Sequence, residues 1–159
     1  FPDVHPSSYC RVDNALVNFY VRNTVTRSNV TGDGTAYTVP YNTIIQDRNI
    51  ASTGSFNTST GVFTAPITAN YTFSAGVLTQ SSPGGLADSV LVEIVTSAGT
   101  FTQTFSATDQ DVFGGSVSAS FFLKRGETAF VRVTVLGGSK TYSVTNNINA
   151  NYFTGVLIG

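Results

Sequence analysis

The chain has 159 residues, of which only 11% are charged, and its formal net charge is −1. This length favours one domain with a hydrophobic core of its own. The eight Lys and Arg residues are scattered and no apolar run reaches about 18 residues, so we expect neither nucleic-acid binding nor membrane insertion.

Charged residues are less than half as frequent as the usual value of about 25%. The polar surface must therefore come from Ser, Thr, Asn and Gly. Such a surface suits an extracellular or virion part, or a chain that buries much of itself against its own copies.

Residues 1–14 are predicted to form an N-terminal arm, because Pro2, Pro6 and the two Ser residues after it disfavour regular structure. The chain begins at Phe1 and contains no Met, which predicts a processed chain or a piece of a longer one. His5 and Cys10 lie in this arm, where no rigid scaffold would hold a catalytic pair. We therefore expect no enzymatic activity and no catalytic residues.

From residue 15 onward the pattern is that of strands. Val17, Phe19 and Val21 alternate with polar residues, the period of a half-buried strand. Further strands are predicted at residues 35–39, 42–46, 89–96, 100–107, 116–124, 128–136 and 151–158. Turns are predicted at residues 31–34, 97–99, 114–115, 125–126 and 137–139. This spacing indicates an all-β sandwich or barrel.

Residues 56–73 carry the most specific pattern. Here Gly61 and Phe63 follow a polar turn, Pro66 comes next, and Tyr71 and Phe73 alternate along a strand. A glycine permits the positive φ of a tight turn, and the proline suits a position without a ladder partner. The spacing resembles the signature of the C1q globular-head family, a branch of the tumour-necrosis-factor-like jelly rolls. Ala69 replaces the second glycine of that signature.

Two later segments carry the same resemblance. Residues 122–127 resemble the family's strand-ending Leu-x-x-Gly-Asp motif, with Glu127 in place of Asp, and residues 152–158 resemble its terminal strand. The resemblance covers residues 15–159. It implies a ten-stranded antiparallel jelly-roll sandwich that forms a homotrimer, with the last strand beside the first. Core or trimer-axis positions would be Phe63, Pro66, Tyr71, Phe73, Tyr152 and Phe153.

Ligand binding is expected at the loops opposite the termini, since loops carry recognition on rigid β scaffolds. The candidate residues are Tyr37, Tyr41, Ser82, Asp88, Asp109, Asp111, Lys140 and Tyr142. Asp109 and Asp111 offer carboxylate oxygens to calcium, as loop carboxylates do in some heads of the family. The alternative is a solvated loop without metal, and no other cofactor is expected.

The sparsely charged sequence of residues 57–66 resembles the corresponding segment of C1q-like heads in bacteriophage structural proteins. This resemblance implies a protein on the virion surface, for host attachment through a bacterial surface glycan or protein receptor, or for capsid reinforcement through capsid or tail proteins. The alternative is a secreted pattern-recognition or lectin head of a cellular protein. Fold by itself does not decide between them.

Overall fold

The computed structural model describes residues 17–49, 54–81, 86–108 and 110–159. The predicted arm of residues 1–14, with His5 and Cys10, lies outside this range, so the division into arm and domain stays a prediction. The described residues form thirteen strands: Asn18–Arg22 (β1), Arg27–Thr31 (β2), Ala36–Thr38 (β3), Thr43–Arg48 (β4), Phe56–Asn57 (β5), Val62–Thr64 (β6), Ala69–Ser81 (β7), Ser89–Thr96 (β8), Gly99–Ser106 (β9), Val112–Leu123 (β10), Thr128–Leu136 (β11), Tyr142–Val144 (β12) and Tyr152–Leu157 (β13). No helix in this part of the chain has the length and apolar character needed to cross a bilayer.

The strands form two antiparallel sheets. In the first, β7 pairs with β10 along one side and with β13 and β12 along the other, β1 and β4 continue beyond β13, and β2 continues beyond β12. The second sheet runs β5-β6-β11-β8-β9, with β3 also on β11. The C-terminal strand β13 lies beside β1, as the resemblance implied.

The core lies between the two sheets and is dominated by aromatic rings. Strand β7 turns Tyr71, Phe73 and its following alternate residues inward, which confirms the predicted alternation. The Phe19 ring lies 4.7 Å from that of Phe63 and 4.9 Å from that of Phe153, centroid to centroid. Ring pairs at these separations add about 0.5–1.5 kcal/mol each to the free energy gained by burial.

The structure has more strands than the ten expected, and four of them, β2, β5, β6 and β12, were not predicted individually. All four are short. Strand β12 pairs with the end of β7 and with β2, and no local apolar pattern predicts either β2 or β12. Sheet formation depends on such tertiary pairing more than on intrinsic propensity.

The predicted turn at Gly114 and Gly115 is wrong, because both residues lie inside β10 and pair with β7. A Cβ added at Gly115 would stand 2.2 Å from the ring of Phe105 on β9. The glycine is therefore needed for the close approach of the two strands. At Gly61 the predicted positive φ is confirmed, with φ at 76°.

Replacing Phe63 by alanine should lower the free energy of unfolding by about 3–5 kcal/mol, because the ring is fully buried among other rings. Chemical denaturation at fixed protein concentration measures the loss. Ile148→Ala, in the turn between β12 and β13, is the control, since that side chain is 42% exposed and should lose much less. Equal losses in the two variants would contradict this description of the core.

Candidate functional site

Four connections meet at one end of the sandwich. Their described residues, which we call the loop end, are 32–35, 86–88, 107–108 with 110–111, and 137–141. Backbone hydrogen bonds link them, from Gly138 N to Gly32 O (2.9 Å) and from Ala107 N to Asp88 O (2.9 Å). The C-terminus lies at the opposite end of β7, where Asn70 N donates to Gly159 O. The structure thus brings the predicted binding loops together, away from the C-terminus.

The loop end carries several exposed charges. Asp88, Asp111 and Lys140 are all exposed there. Asp33 accepts hydrogen bonds from the hydroxyl and the backbone N–H of Thr35, at 2.6 and 3.1 Å. These bonds lower the pKa of Asp33, and the charge of Lys140 contributes in the same direction.

The calcium prediction concerns Asp109 and Asp111. Asp111 Oδ1 accepts a long hydrogen bond of 3.4 Å from the Ser81 hydroxyl, whereas Asp109 and Ser82 lie outside the described residues. Within the described ranges, no three His, Cys, Asp or Glu side chains gather in a way that could hold a metal. The calcium site stays a prediction.

Two predicted contact tyrosines are corrected by the structure, because Tyr41 and Tyr142 are fully buried. The Tyr41 hydroxyl donates to the Gly76 carbonyl at 3.1 Å, and burial raises its pKa well above the ordinary value. Tyr142 lies on the unpredicted strand β12, with its ring 5.5 Å from that of Phe113. Both rings therefore belong to the core and are not available to a ligand.

Tyr37 lies at the edge of the second sheet, on β3 opposite Val133. It is half-buried and packs against the core, and this burial raises the pKa of its phenol. Tyr37 lies on the strand that follows residues 32–35, the first of the four connections. Because the side chain is half-buried, only part of its ring is open to solvent.

The predicted core or axis residues fall into two groups. Phe63, Tyr71, Phe73 and Phe153 are 0–1% exposed inside the sandwich. Pro66 and Tyr152 are only half-buried. This burial assigns no residue to a trimer axis, so the placement of these residues at such an axis stays a prediction.

Sequence reasoning missed a surface on the first sheet, which we call the hydroxyl face: Thr72, Ser74, Ser118, Ser120 and Thr154. These side chains pair across the strands, with hydroxyl oxygens 2.8 Å apart for Thr72 and Ser120 and 3.0 Å apart for Ser74 and Ser118. Strands β7, β9, β10 and β13 contain no charged residue at all. The absence of charge in these four segments was visible in the sequence, but the segments come together only in the folded chain.

A second feature that sequence reasoning missed is a groove where β7, β12 and the start of β2 meet, with a volume of about 360 Å³. We call it the polar groove, and it is lined by Thr26, Gln80, Ser81, Thr141, Ser143, Thr145 and Asn146. Every lining side chain is uncharged and carries a hydroxyl or a carboxamide. These groups donate and accept hydrogen bonds but cannot form ion pairs.

Two fully buried asparagines hold the wall of the polar groove. Asn151 Nδ2 donates to the Thr145 carbonyl (3.0 Å), to its hydroxyl (2.9 Å) and to the Asn147 carbonyl (3.0 Å). Asn23 Nδ2 donates to the same Thr145 carbonyl at 2.9 Å. Nothing in the sequence distinguishes these two from the other asparagines of the chain.

On the outer side of the second sheet, Glu93 and Arg132 form an ion pair of 3.0 Å. The Thr102 hydroxyl also donates to Glu93, at 2.9 Å. Burial raises the pKa of Glu93, but the hydrogen bonds from Arg132 and Thr102, with the charge of Arg132, outweigh it. The pKa therefore lies below its ordinary value of 4.5.

Because the pKa of Glu93 is lower in the folded chain, its ionised form stabilises the fold above pH 4.5, and this stabilisation is lost on acidification through the folded pKa. We expect Glu93→Gln to lower the free energy of unfolding by about 1 kcal/mol near neutral pH, a small loss because solvent screens the partly exposed Arg132. The deficit should be constant above about pH 5 and should shrink as the pH falls below 4.5 towards the lower pKa of the folded chain, as denaturation at each pH would measure.

Arg132→Gln is the companion variant, since it removes the same ion pair from the other side. It should reduce the same acid-dependent component of stability. A deficit in Glu93→Gln that is constant across the pH range would contradict this role of the pair.

Comparison with known proteins gives one family and one fold. The family model for the C1q domain matches residues 19–158. Among solved structures, the globular domain of the zebrafish complement 1qA protein is 16% identical, with 90% of this chain and 98% of that chain covered and a TM-score of 0.58. Murine APRIL is 12% identical, with 89% and 98% covered and a TM-score of 0.62. The Eiger TNF of S. frugiperda is 15% identical, with 91% and 94% covered and a TM-score of 0.56. No curated protein matches the chain.

Proposed function

Since this chain belongs to the C1q domain family, whose domains are generally binding modules without enzymatic activity, we propose that it is a non-enzymatic homotrimeric recognition head. The observation that carries the trimer is the uncharged surface formed by β7, β9, β10 and β13. Exposed surfaces of monomeric domains ordinarily carry charges of both signs.

The hydroxyl face suits contact with another copy. Its hydroxyls already bond to one another, so removing them from water leaves few unpaired polar groups. Val156 and Phe122 lie on the same outer side and are 38% and 53% exposed, which adds apolar area to bury. An obligate interface of this kind buries on the order of 2,000 Å² or more.

Strand β9 supports the same conclusion. Among the described strands it pairs only with β8, its residues are almost all exposed, and it carries no Lys or Pro that would protect a free strand edge. Free edges without such protection promote unwanted pairing, and a neighbouring subunit that covers the edge removes this hazard.

Ser118→Arg should convert the trimer into a monomer without unfolding it. The arginine would place a charge in the middle of the hydroxyl face, where burial without a partner is costly. Light scattering measures the mass, which should fall from three times 16.8 kDa to 16.8 kDa. Circular dichroism checks that the strands remain.

Ser59→Arg is the matched control, because Ser59 is exposed in the turn between β5 and β6, away from the hydroxyl face. It should keep the trimer. If Ser118→Arg remained trimeric, the hydroxyl face would not be the interface; a monomeric unsubstituted chain would refute the trimer itself.

The finer proposal is that the head lies on a virion surface and attaches to a bacterial host or reinforces a capsid. It is supported by the sparse charge and by the resemblance of residues 57–66 to phage heads. We place receptor contact at the loop end, where Asp88, Asp111 and Lys140 are exposed. Mass spectrometry of purified virions tests this proposal, and finding the chain instead in a cellular secretion would favour the alternative of a secreted recognition head, since C1q-like domains are commonly extracellular.

A further inference from the structure

We propose that the polar groove is a binding subsite for an uncharged saccharide, an inference that rests on the proposed function of the chain as a recognition head. None of the groove residues was among the candidates predicted from the sequence. The uncharged, hydrogen-bonding lining and the fixed walls of the groove support this assignment.

The lining matches the hydrogen-bonding needs of a sugar. Hydroxyls and carboxamides both donate and accept, as sugar hydroxyls do. The hydroxyls of Ser81, Ser143 and Thr145 already bond within the chain. The exposed carboxamides of Gln80 and Asn146 are therefore the main groups that an apolar ligand would leave without a partner. The volume of about 360 Å³ lies in the range of small-molecule sites and leaves room for one or two sugar rings with bridging water.

The lining selects against acidic ligands. No lining side chain is cationic, so a carboxylate or sulfate group would find no counter-ion among them. The charges next to the lining have both signs: the carboxylate of Asp111 lies 3.4 Å from the hydroxyl of Ser81, and Lys140 is exposed beside Thr141. The preference for a neutral saccharide therefore depends on the uncharged lining.

The walls of the groove are held in place before any ligand arrives. Asn151 and Asn23 fix the carbonyl of Thr145 from behind. On the opposite wall, β2 bulges against β12 at Asn29, a non-glycine residue with φ at 53°, and its backbone N–H donates to the Ser143 hydroxyl at 3.0 Å. Bulges and residues with positive φ are concentrated at functional sites, and preorganised walls lower the entropic cost of binding.

Gln80 lies six residues along β7 from Ser74 of the hydroxyl face, which is about 20 Å at the rise of a strand. The groove therefore lies at the margin of the proposed trimer interface and not at its centre.

The test is saccharide binding by the unsubstituted chain and by the double variant Gln80→Ala/Asn146→Ala. Both side chains are exposed and line the groove. The probes are neutral oligosaccharides of glucose, galactose and mannose, together with uronic-acid and sulfated oligosaccharides. We expect binding of at least one neutral probe, and an affinity at least about tenfold lower in the double variant, because two hydrogen-bonding side chains are lost.

The matched control is Gln46→Ala/Asn149→Ala, which removes the same two side-chain types from exposed positions outside both the groove lining and the loop end. It should bind like the unsubstituted chain. Three results would overturn the proposal: no neutral probe binds, only acidic probes bind, or the control loses affinity while the groove variant keeps it. Light scattering of the same samples distinguishes failure of the groove proposal from failure of the proposed function. A trimer that binds no saccharide would refute the groove as a binding site and leave the trimeric head intact.

Discussion

Strand β7 is paired on both sides along nearly all of its thirteen residues, and the other features of the molecule depend on that arrangement. Its inward residues supply Tyr71 and Phe73 to the aromatic core. Its outward residues supply half of the hydroxyl face, and its last residues supply one wall of the polar groove. A substitution that shifted its register by one residue would exchange these two sets, so the core and both surfaces share one structural requirement.

The alternation of apolar and polar residues was enough to predict the long strands, because each buries one face over several residues. The signature of residues 56–73 was enough to predict the family, since Gly61, Pro66 and the aromatic residues have geometric roles that depend on spacing. Short strands such as β2 and β12 were not predictable in this way. They exist because the end of β7 offers free hydrogen-bonding groups, which is a property of the folded chain.

The same limit explains the errors at the candidate site. Tyr142 follows a cluster of turn residues and looked like part of a loop, but pairing of β12 with β7 turns its ring into the core. Gly115 looked like a turn residue, but its missing side chain makes room for Phe105. The polar groove could not be predicted from the sequence, because its hydroxyl and amide residues come together only where three strands meet in the folded chain.

Three surfaces of the molecule have separate proposed roles. The uncharged side serves assembly, the charged loop end serves receptor contact, and the polar groove at the margin of the uncharged side binds a saccharide. Assembly is the central claim, because burial against neighbouring copies accounts for the lack of charge on the exposed sides of four strands. Analytical ultracentrifugation of the unsubstituted chain over a dilution series tests it most directly. We predict one species of three times 16.8 kDa that persists on dilution, and a species of 16.8 kDa at every concentration would contradict the account.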